Sequence, residues 1–129
     1  MSTFKDVLNT VIELAEQTNP YSLIVTDTTP PFNGIAIGNS TGSPADTHLN
    51  KGIIFSQNVM VNAKNIDKEI AFDTVANIHA HLTKTKNYPT DKEFQIINIS
   101  TVVGPTLIDR EDNKSYIIGS TIQVDYYWR

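Results

Sequence analysis

The chain has 129 residues, of which 40% are hydrophobic, and its formal charge is −4. This length and apolar content predict one domain without a linker, which buries roughly two-thirds of the surface that the unfolded chain exposes. Ten Lys and Arg residues against 14 Asp and Glu residues offer a polyanion no positive field, which argues against specific nucleic-acid binding. The absence of cysteine excludes disulfides, thiolate zinc sites and a cysteine nucleophile.

A helix is predicted at the start of the chain, where apolar residues recur at helical spacing. These residues are Phe4, Val7, Leu8, Val11, Leu14 and Ala15. Lys5 and Asp6 stand where a signal peptide would have its apolar run, and no stretch reaches the ~18 apolar residues of a membrane span. We therefore expect a soluble protein that is made in the cytoplasm.

Asn19-Pro20 ends this helix, because proline supplies no amide hydrogen and restricts the residue before it. "YSLIV", residues 21–25, then predicts a strand. From 26 to 52 the chain is rich in Pro, Gly and Ser, and only Ile35–Ile37 has the composition of a short strand. We expect a long flexible loop here, part of which is mobile in the free subunit and becomes ordered on assembly.

The segment 53–64 alternates in polarity, which predicts a half-buried strand. Ile53, Phe55, Val59 and Val61 fall on one face of it, and Ser56, Asn58 and Asn62 fall on the other. A second helix follows, with Asp67 as its cap and "KTKNYP" at its end. Its predicted buried stripe consists of Ala71, Val75, Ile78 and Leu82, with Ile70 beside them.

Two more strands complete the chain. "FQIINISTVV", residues 94–103, predicts the first, which Gly104-Pro105 breaks or bulges before "TLI" resumes it. "DREDNK" predicts a hairpin turn into the last strand. Period 2 places on one face of that strand Tyr116, Ile118, Ile122, Val124, Tyr126 and Trp128. We expect this face to pack on the helices, with Tyr126 and Trp128 anchoring the sheet.

The order α-β-(β)-β-α-β-β predicts an α+β fold. Consecutive strands joined by short turns pair antiparallel, and two amphipathic helices suffice to cover one face of such a sheet. We therefore expect a mainly antiparallel sheet with both helices packed on one face.

No catalytic, cofactor-binding or metal-binding residue is predicted. His79 and His81 lie two residues apart on a helix, which separates them by about 200°, so we expect two partly exposed histidines that do not share a metal. "DREDN" resembles a calcium loop, but Lys114 and Ser120 replace its glycine and glutamate. "GNSTGS" lacks the lysine and the spacing of a phosphate loop. No G-x-S-x-G element indicates a hydrolase, although sequence order alone does not exclude a triad.

Two long stretches carry a resemblance to a known family. They are "VMVNAKNIDKEIAFDTVANIHAHLTKTKNYP" and "IINISTVVGPTLIDREDNKSYIIGSTIQVDYYW". The first is a strand, a polar link and an amphipathic helix followed by "YP"; the second is a strand with Gly-Pro, a polar hairpin and an aromatic terminal strand. Together they resemble the small minor capsid proteins of siphoviruses, which are similar to tail terminator (tail-completion, head-tail joining) proteins. Residues 4–17 match the N-terminal helix of that family.

The resemblance implies a non-enzymatic virion subunit without cofactors. It implies an α+β subunit that forms a ring, a hexamer, which caps the tail tube and meets the head connector protein. DNA passes through such a ring without specific binding, and no membrane is involved. The subunit would be assembled in the host cytoplasm and reside at the head-tail junction of the virion.

Four residues are candidates for the interface between subunits. Tyr127 and Asp125 fall on the face of the last strand opposite Tyr126, and Asn39 and Ser40 lie in the predicted loop. Two other classes of protein stay open: another head-tail connector component, such as a stopper or adaptor, and a small ligand-binding or enzymatic domain. The latter would need a pocket with convergent polar groups.

Overall fold

The computed structural model describes residues 3–27, 29–39, 45–49, 52–84, 88, 94–112 and 114–128. Within them the chain forms two helices and six strands. In chain order these are α1 (Thr3–Glu16), β1 (Ile24–Thr26), β2 (Ile35–Asn39), β3 (Ala45–Leu49), β4 (Gly52–Asn65), α2 (Lys68–Lys84), β5 (Phe94–Arg110) and β6 (Tyr116–Trp128).

The six strands form one sheet, in which the strand order is β1-β2-β4-β6-β5 and β3 also pairs with β4. The β1-β2 pair is parallel, and the other pairs are antiparallel. The two long central strands, β4 and β6, align over most of their length, with Val59 opposite Ile122 and Ala63 opposite Ile118. The strands β1 and β5 therefore lie at opposite edges of the sheet.

Both helices pack on the same face of the sheet. Helix α2 contacts β4, β5 and β6, and α1 contacts α2, β1 and β2. The cap of α2 is the predicted one, because Asp67 Oδ1 accepts hydrogen bonds from the backbone N–H of Glu69 (3.0 Å) and of Ile70 (3.4 Å). The predicted α+β class, with two helices on one face of a mainly antiparallel sheet, is confirmed.

The core lies between this face and the helices. The predicted stripe of α2 is fully buried at Ala71, Val75, Ile78 and Leu82. The alternation of β6 is also confirmed, because Ile118, Ile122, Val124 and Tyr126 are all fully buried on the helix-facing side. From β4 the core receives Val59, Val61 and Ala63.

The prediction for residues 26–52 was wrong where it allowed only one short strand. Residues 45–49 form β3, which pairs with the first five residues of β4 from Leu49↔Gly52 to Ala45↔Ser56. The strand predicted at 21–25 is also shorter and displaced, since β1 covers Ile24–Thr26 and pairs in parallel with β2. Short polar strands of this kind form because a neighbouring strand offers backbone partners, which local composition does not encode.

Candidate functional site

The outer strand β5 presents an exposed apolar surface. From Thr101 to Arg110 every residue is exposed except Pro105, which is half-buried. Four large apolar side chains in this segment keep between 45% and 49% of their surface exposed: Val102, Val103, Leu107 and Ile108. We call these four side chains the β5 patch.

The β5 patch has the composition of the centre of a protein interface. No charged residue occurs from Thr101 to Ile108, and the first charge beyond the patch is Asp109. The central part of an interface is depleted in charged residues, and a contiguous exposed apolar area on the order of a few hundred Å² marks an association site. The four half-exposed apolar side chains lie within seven consecutive residues of one strand, Val102 to Ile108.

The backbone of this edge is poorly suited to accept another strand. The register with β6 shifts between Thr101 and Val103, between Val103 and Thr106, and between Leu107 and Asp109. Pro105 lacks an N–H, and both bulges and proline at a sheet edge oppose the addition of a strand. The bulge predicted at Gly104-Pro105 is thereby confirmed. A partner of this edge must therefore contact side chains rather than extend the ladder.

His79 ties β5 and β6 to helix α2. Its Nδ1 lies 3.0 Å from Ser120 Oγ, and its Nε2 lies 2.7 Å from Thr101 Oγ1, at the start of the exposed segment. Only 7% of His79 is exposed, so the expectation of a partly exposed histidine was wrong for this residue. The fold places the helix directly over two strands at this position. Burial lowers the pKa of His79 below its usual value.

His81 lies on a different side of α2. Its Nε2 is 2.9 Å from Gln17 Oε1, next to the end of α1. The two histidines thus point to different neighbours, as the helical angle between them requires.

The turn between β5 and β6 is a hydrogen-bonded hairpin turn, as predicted. The N–H of Glu111 donates to Ser115 O (2.8 Å), the N–H of Lys114 donates to Glu111 O (2.8 Å), and Lys114 adopts a φ of 71°. The Glu111 carboxylate forms an ion pair with Lys64 Nζ at 2.9 Å. Lys64 is only 9% exposed, so this ion pair satisfies a buried charge and holds the turn against β4.

The opposite edge of the sheet carries a second exposed apolar group. Leu23 is 81% exposed, Phe32 is 59% exposed and Val25 is 38% exposed. Ile24 pairs with Ile35, so Leu23 and Phe32 precede neighbouring positions of the two strands by one and three residues. We call Leu23, Val25 and Phe32 the β1 patch.

A tyrosine fixes the chain next to the β1 patch. The Tyr21 hydroxyl lies 2.8 Å from Lys64 O and 3.1 Å from Gly34 O, so it links the approach to β1 with β4 and with the residue before β2. These two contacts of Tyr21 therefore hold in place the segment that leads into the β1 patch.

The terminal strand combines buried and exposed aromatic residues. Tyr126 is fully buried, is stacked with Phe55 at a centroid distance of 5.7 Å, and meets Phe94 edge-on at 6.1 Å. Tyr127 is 40% exposed on the opposite face. Trp128 pairs with Phe94 in the register, and its side chain lies outside the described residues. Tyr126 thus provides the predicted anchor of the sheet.

The three described candidate interface residues, Tyr127, Asp125 and Asn39, do not form one surface. Asp125 lies on the face opposite the helices, where its Oδ1 accepts hydrogen bonds from Ser56 Oγ (2.7 Å) and Gln123 Nε2 (3.0 Å). Asn39 pairs with Val59 on the helix-facing side, and its Oδ1 accepts a 2.6 Å hydrogen bond from Gln57 Nε2. Ser40 lies outside the described residues. An interface role for these residues stays a prediction.

The described residues also form a shallow cleft of about 290 Å³ between the end of α1 and the first half of α2. Its lining consists of Thr18, Asn19, Pro20, Tyr21, Ile70, Asp73, Thr74 and Asn77. Asp73 is its only carboxylate. Across the parts of the chain that the structure describes, no three His, Asp or Glu residues gather in the arrangement of a metal site. Neither described helix is long and apolar enough to cross a membrane.

Neither patch is identifiable from sequence patterns alone. The sequence shows only that the chain is uncharged around the β5 patch, over Thr101–Ile108, and around Leu23 and Val25 of the β1 patch, over Pro20–Thr26. Both segments also have the composition of ordinary buried strands, because the same residue types fill a core and an interface.

No protein-family model matches this sequence, and no curated protein matches it. A search of solved structures finds the same fold in a chain of the virion of a native gene transfer agent particle. The similarity has a TM-score of 0.70 and covers 98% of this chain and 99% of that chain, at 8% sequence identity. At this identity the likeness establishes a shared fold.

Proposed function

We propose that this protein is a structural subunit of a phage-like virion. The observation that carries the proposal is the agreement in fold, over nearly the whole length of both chains, with a chain of a gene transfer agent virion. The exposed β5 and β1 patches support it independently, because an isolated soluble protein seldom leaves several half-exposed apolar side chains together at an edge. Subunits of a particle cover such surfaces by association.

Within this class, we propose a minor capsid or tail terminator protein that forms a ring, a hexamer, at the head-tail junction. The tail tube protein and the head connector protein would be its partners, and DNA would pass through the ring. The net charge of −4 suits that role, because a wall of like charge does not retain phosphates. The virion would be its location, after assembly in the host cytoplasm.

We propose a role without catalysis. Among the described side chains, the histidine that contacts a serine is His79. It is buried between helix and sheet, and Ser120 is only 2% exposed, so a substrate has no access to that pair. The second described histidine of α2, His81, contacts Gln17. A small enzymatic domain therefore has less support than an assembly subunit.

Sedimentation velocity across a concentration series tests self-assembly. We expect the parent chain to form a discrete oligomer, and Leu107→Asp to remove it without unfolding the subunit, because Leu107 is 45% exposed. Ile97→Asp is the matched control, since Ile97 is 41% exposed and lies ten residues before Leu107 in β5, outside the β5 patch. A parent chain that stays monomeric, both alone and with tail tubes, would contradict the ring.

Electron microscopy of tail tubes mixed with the protein distinguishes a tail terminator from a stopper or an adaptor. A tail terminator is expected to cap one end of each tube and to stop its growth. A stopper or adaptor would leave the bare tubes unchanged and bind only the head connector. Neither result requires a cofactor.

A further inference from the structure

We infer that the β5 patch of one subunit packs against the β1 patch of a second copy of this chain. The inference rests on the proposed self-assembly and specifies which surfaces meet. It predicts a head-to-tail contact, in which every subunit uses one edge of its sheet to hold the next.

The first argument for this contact is the position of the two patches. The strand order β1-β2-β4-β6-β5 places the patches at opposite edges of the sheet. Four intervals between neighbouring strands separate them by about 19 Å, so they do not cover each other within one subunit. An interface between two different surfaces leaves one free patch at each end of a growing oligomer, and this arrangement closes into a ring when the rotation closes.

The second argument is the chemistry of the two patches. The β5 patch lies in the uncharged stretch Thr101–Ile108, which Asp109 follows. Leu23 and Val25 of the β1 patch lie in the uncharged stretch Pro20–Thr26, and Asp27 separates them in sequence from Phe32. A contact of the β5 patch with Leu23 and Val25 removes apolar surface from water without burying a charge. If the β5 patch instead packed on itself, association would end at a dimer and would leave Leu23, 81% exposed, uncovered in every copy.

The third argument is the shape of the β5 edge. Leu107 pairs with Ile118, which is buried on the helix-facing side. Val103 pairs with Thr121, the neighbour of the buried Ile122 in β6, so Val103 lies on the opposite side of the sheet. The patch therefore extends around both sides of the strand, and the group that covers it must reach around an edge. The β1 patch supplies side chains from strand β1, from the residue before it and from the connection before β2. We expect such separate positions to contact the two sides of the β5 edge.

Cysteine-specific cross-linking tests the contact, because the natural chain has no cysteine. Leu23→Cys and Leu107→Cys are made as separate proteins, mixed, and treated with a short bismaleimide. We expect cross-linked dimers that contain one copy of each variant, and loss of this product when Ile97→Cys, at the other end of β5, replaces either partner. The double variant Leu23→Cys/Leu107→Cys should give a ladder of products that ends at the size of the closed ring. Far-UV circular dichroism confirms that each variant is folded.

Three results would overturn the inference. Homodimers of Leu107→Cys as the main product would show that the β5 patch packs on itself. Cross-linking with Ile97→Cys that equals the mixed product would show contact by random collision. A parent chain that forms rings while the mixture gives no cross-link would refute this pair of surfaces and leave the proposed function standing. The function itself fails only if the parent chain also stays monomeric with tail tubes present.

Discussion

Acidification is expected to destabilise the subunit through His79. The imidazole is 7% exposed, and burial holds its pKa below the usual value. The unfolded chain therefore binds a proton at a higher pH than the folded chain does. The stability that depends on a neutral His79 is fully present above the unfolded pKa of about 6.5, and it decreases as the pH falls through that value towards the folded pKa.

The size of this effect follows from one proton. Between the two pKa values, the free energy of unfolding decreases by at most about 1.4 kcal/mol per pH unit, and below the folded pKa the contribution of His79 stops changing. His79→Gln removes the titrating group. It also changes the contacts with Ser120 and Thr101, so we expect a loss of about 1 to 3 kcal/mol at neutral pH.

Urea unfolding at a series of pH values measures both effects, with the fluorescence of the only tryptophan as the signal. His79→Gln should flatten the decline of stability between about pH 6.5 and about pH 5, above the range where carboxylates dominate. Asn77→Gln, on the same helix and without a titrating group, is the control and should keep the slope of the parent. An unchanged slope in His79→Gln would refute the reasoning, because the pH dependence would then belong to other groups.

Tyr126→Ala should destabilise the subunit by about 3 to 5 kcal/mol, because the fully buried ring leaves a cavity in the core. Tyr127→Ala should change stability by less than about 1 kcal/mol, and should weaken assembly if that face is an interface; the opposite ranking in thermal unfolding would mean a register error of one residue. Gly119→Ala should cost about 1 to 3 kcal/mol, because Asn62 and Ile108 occupy the space that the new methyl group needs. A Gly119→Ala variant that unfolds at the parent urea concentration would show that these two side chains move aside freely.

The elements with strong periodicity were predictable from the sequence. In α2, apolar residues at helical spacing and Asp67 at the start determine both the helix and its buried stripe. In β6, alternation identifies Tyr126 as buried and Tyr127 as exposed. Such patterns are local, because a single helix or strand must place its apolar residues on one side to enter any core.

Features that depend on a distant partner were not predictable. The strand Ala45–Leu49 forms by pairing with the start of β4, and its composition is that of a loop. The burial of His79 depends on where α2 crosses β5 and β6, which the spacing of residues on the helix does not report. In both cases the deciding contact joins segments that the sequence does not show to be neighbours.

The sequence by itself determined that the chain is α+β, which residues of α1, α2, β4 and β6 face the core, and that its net charge does not attract a polyanion. Only the tertiary structure decided that β5 and β1 are the edges of the sheet. An uncharged apolar stretch such as Thr101–Ile108 becomes core in a central strand and an association surface at an edge. Strand order is set by long-range pairing, and the physical difference between these two outcomes is whether another strand or helix covers the same side chains.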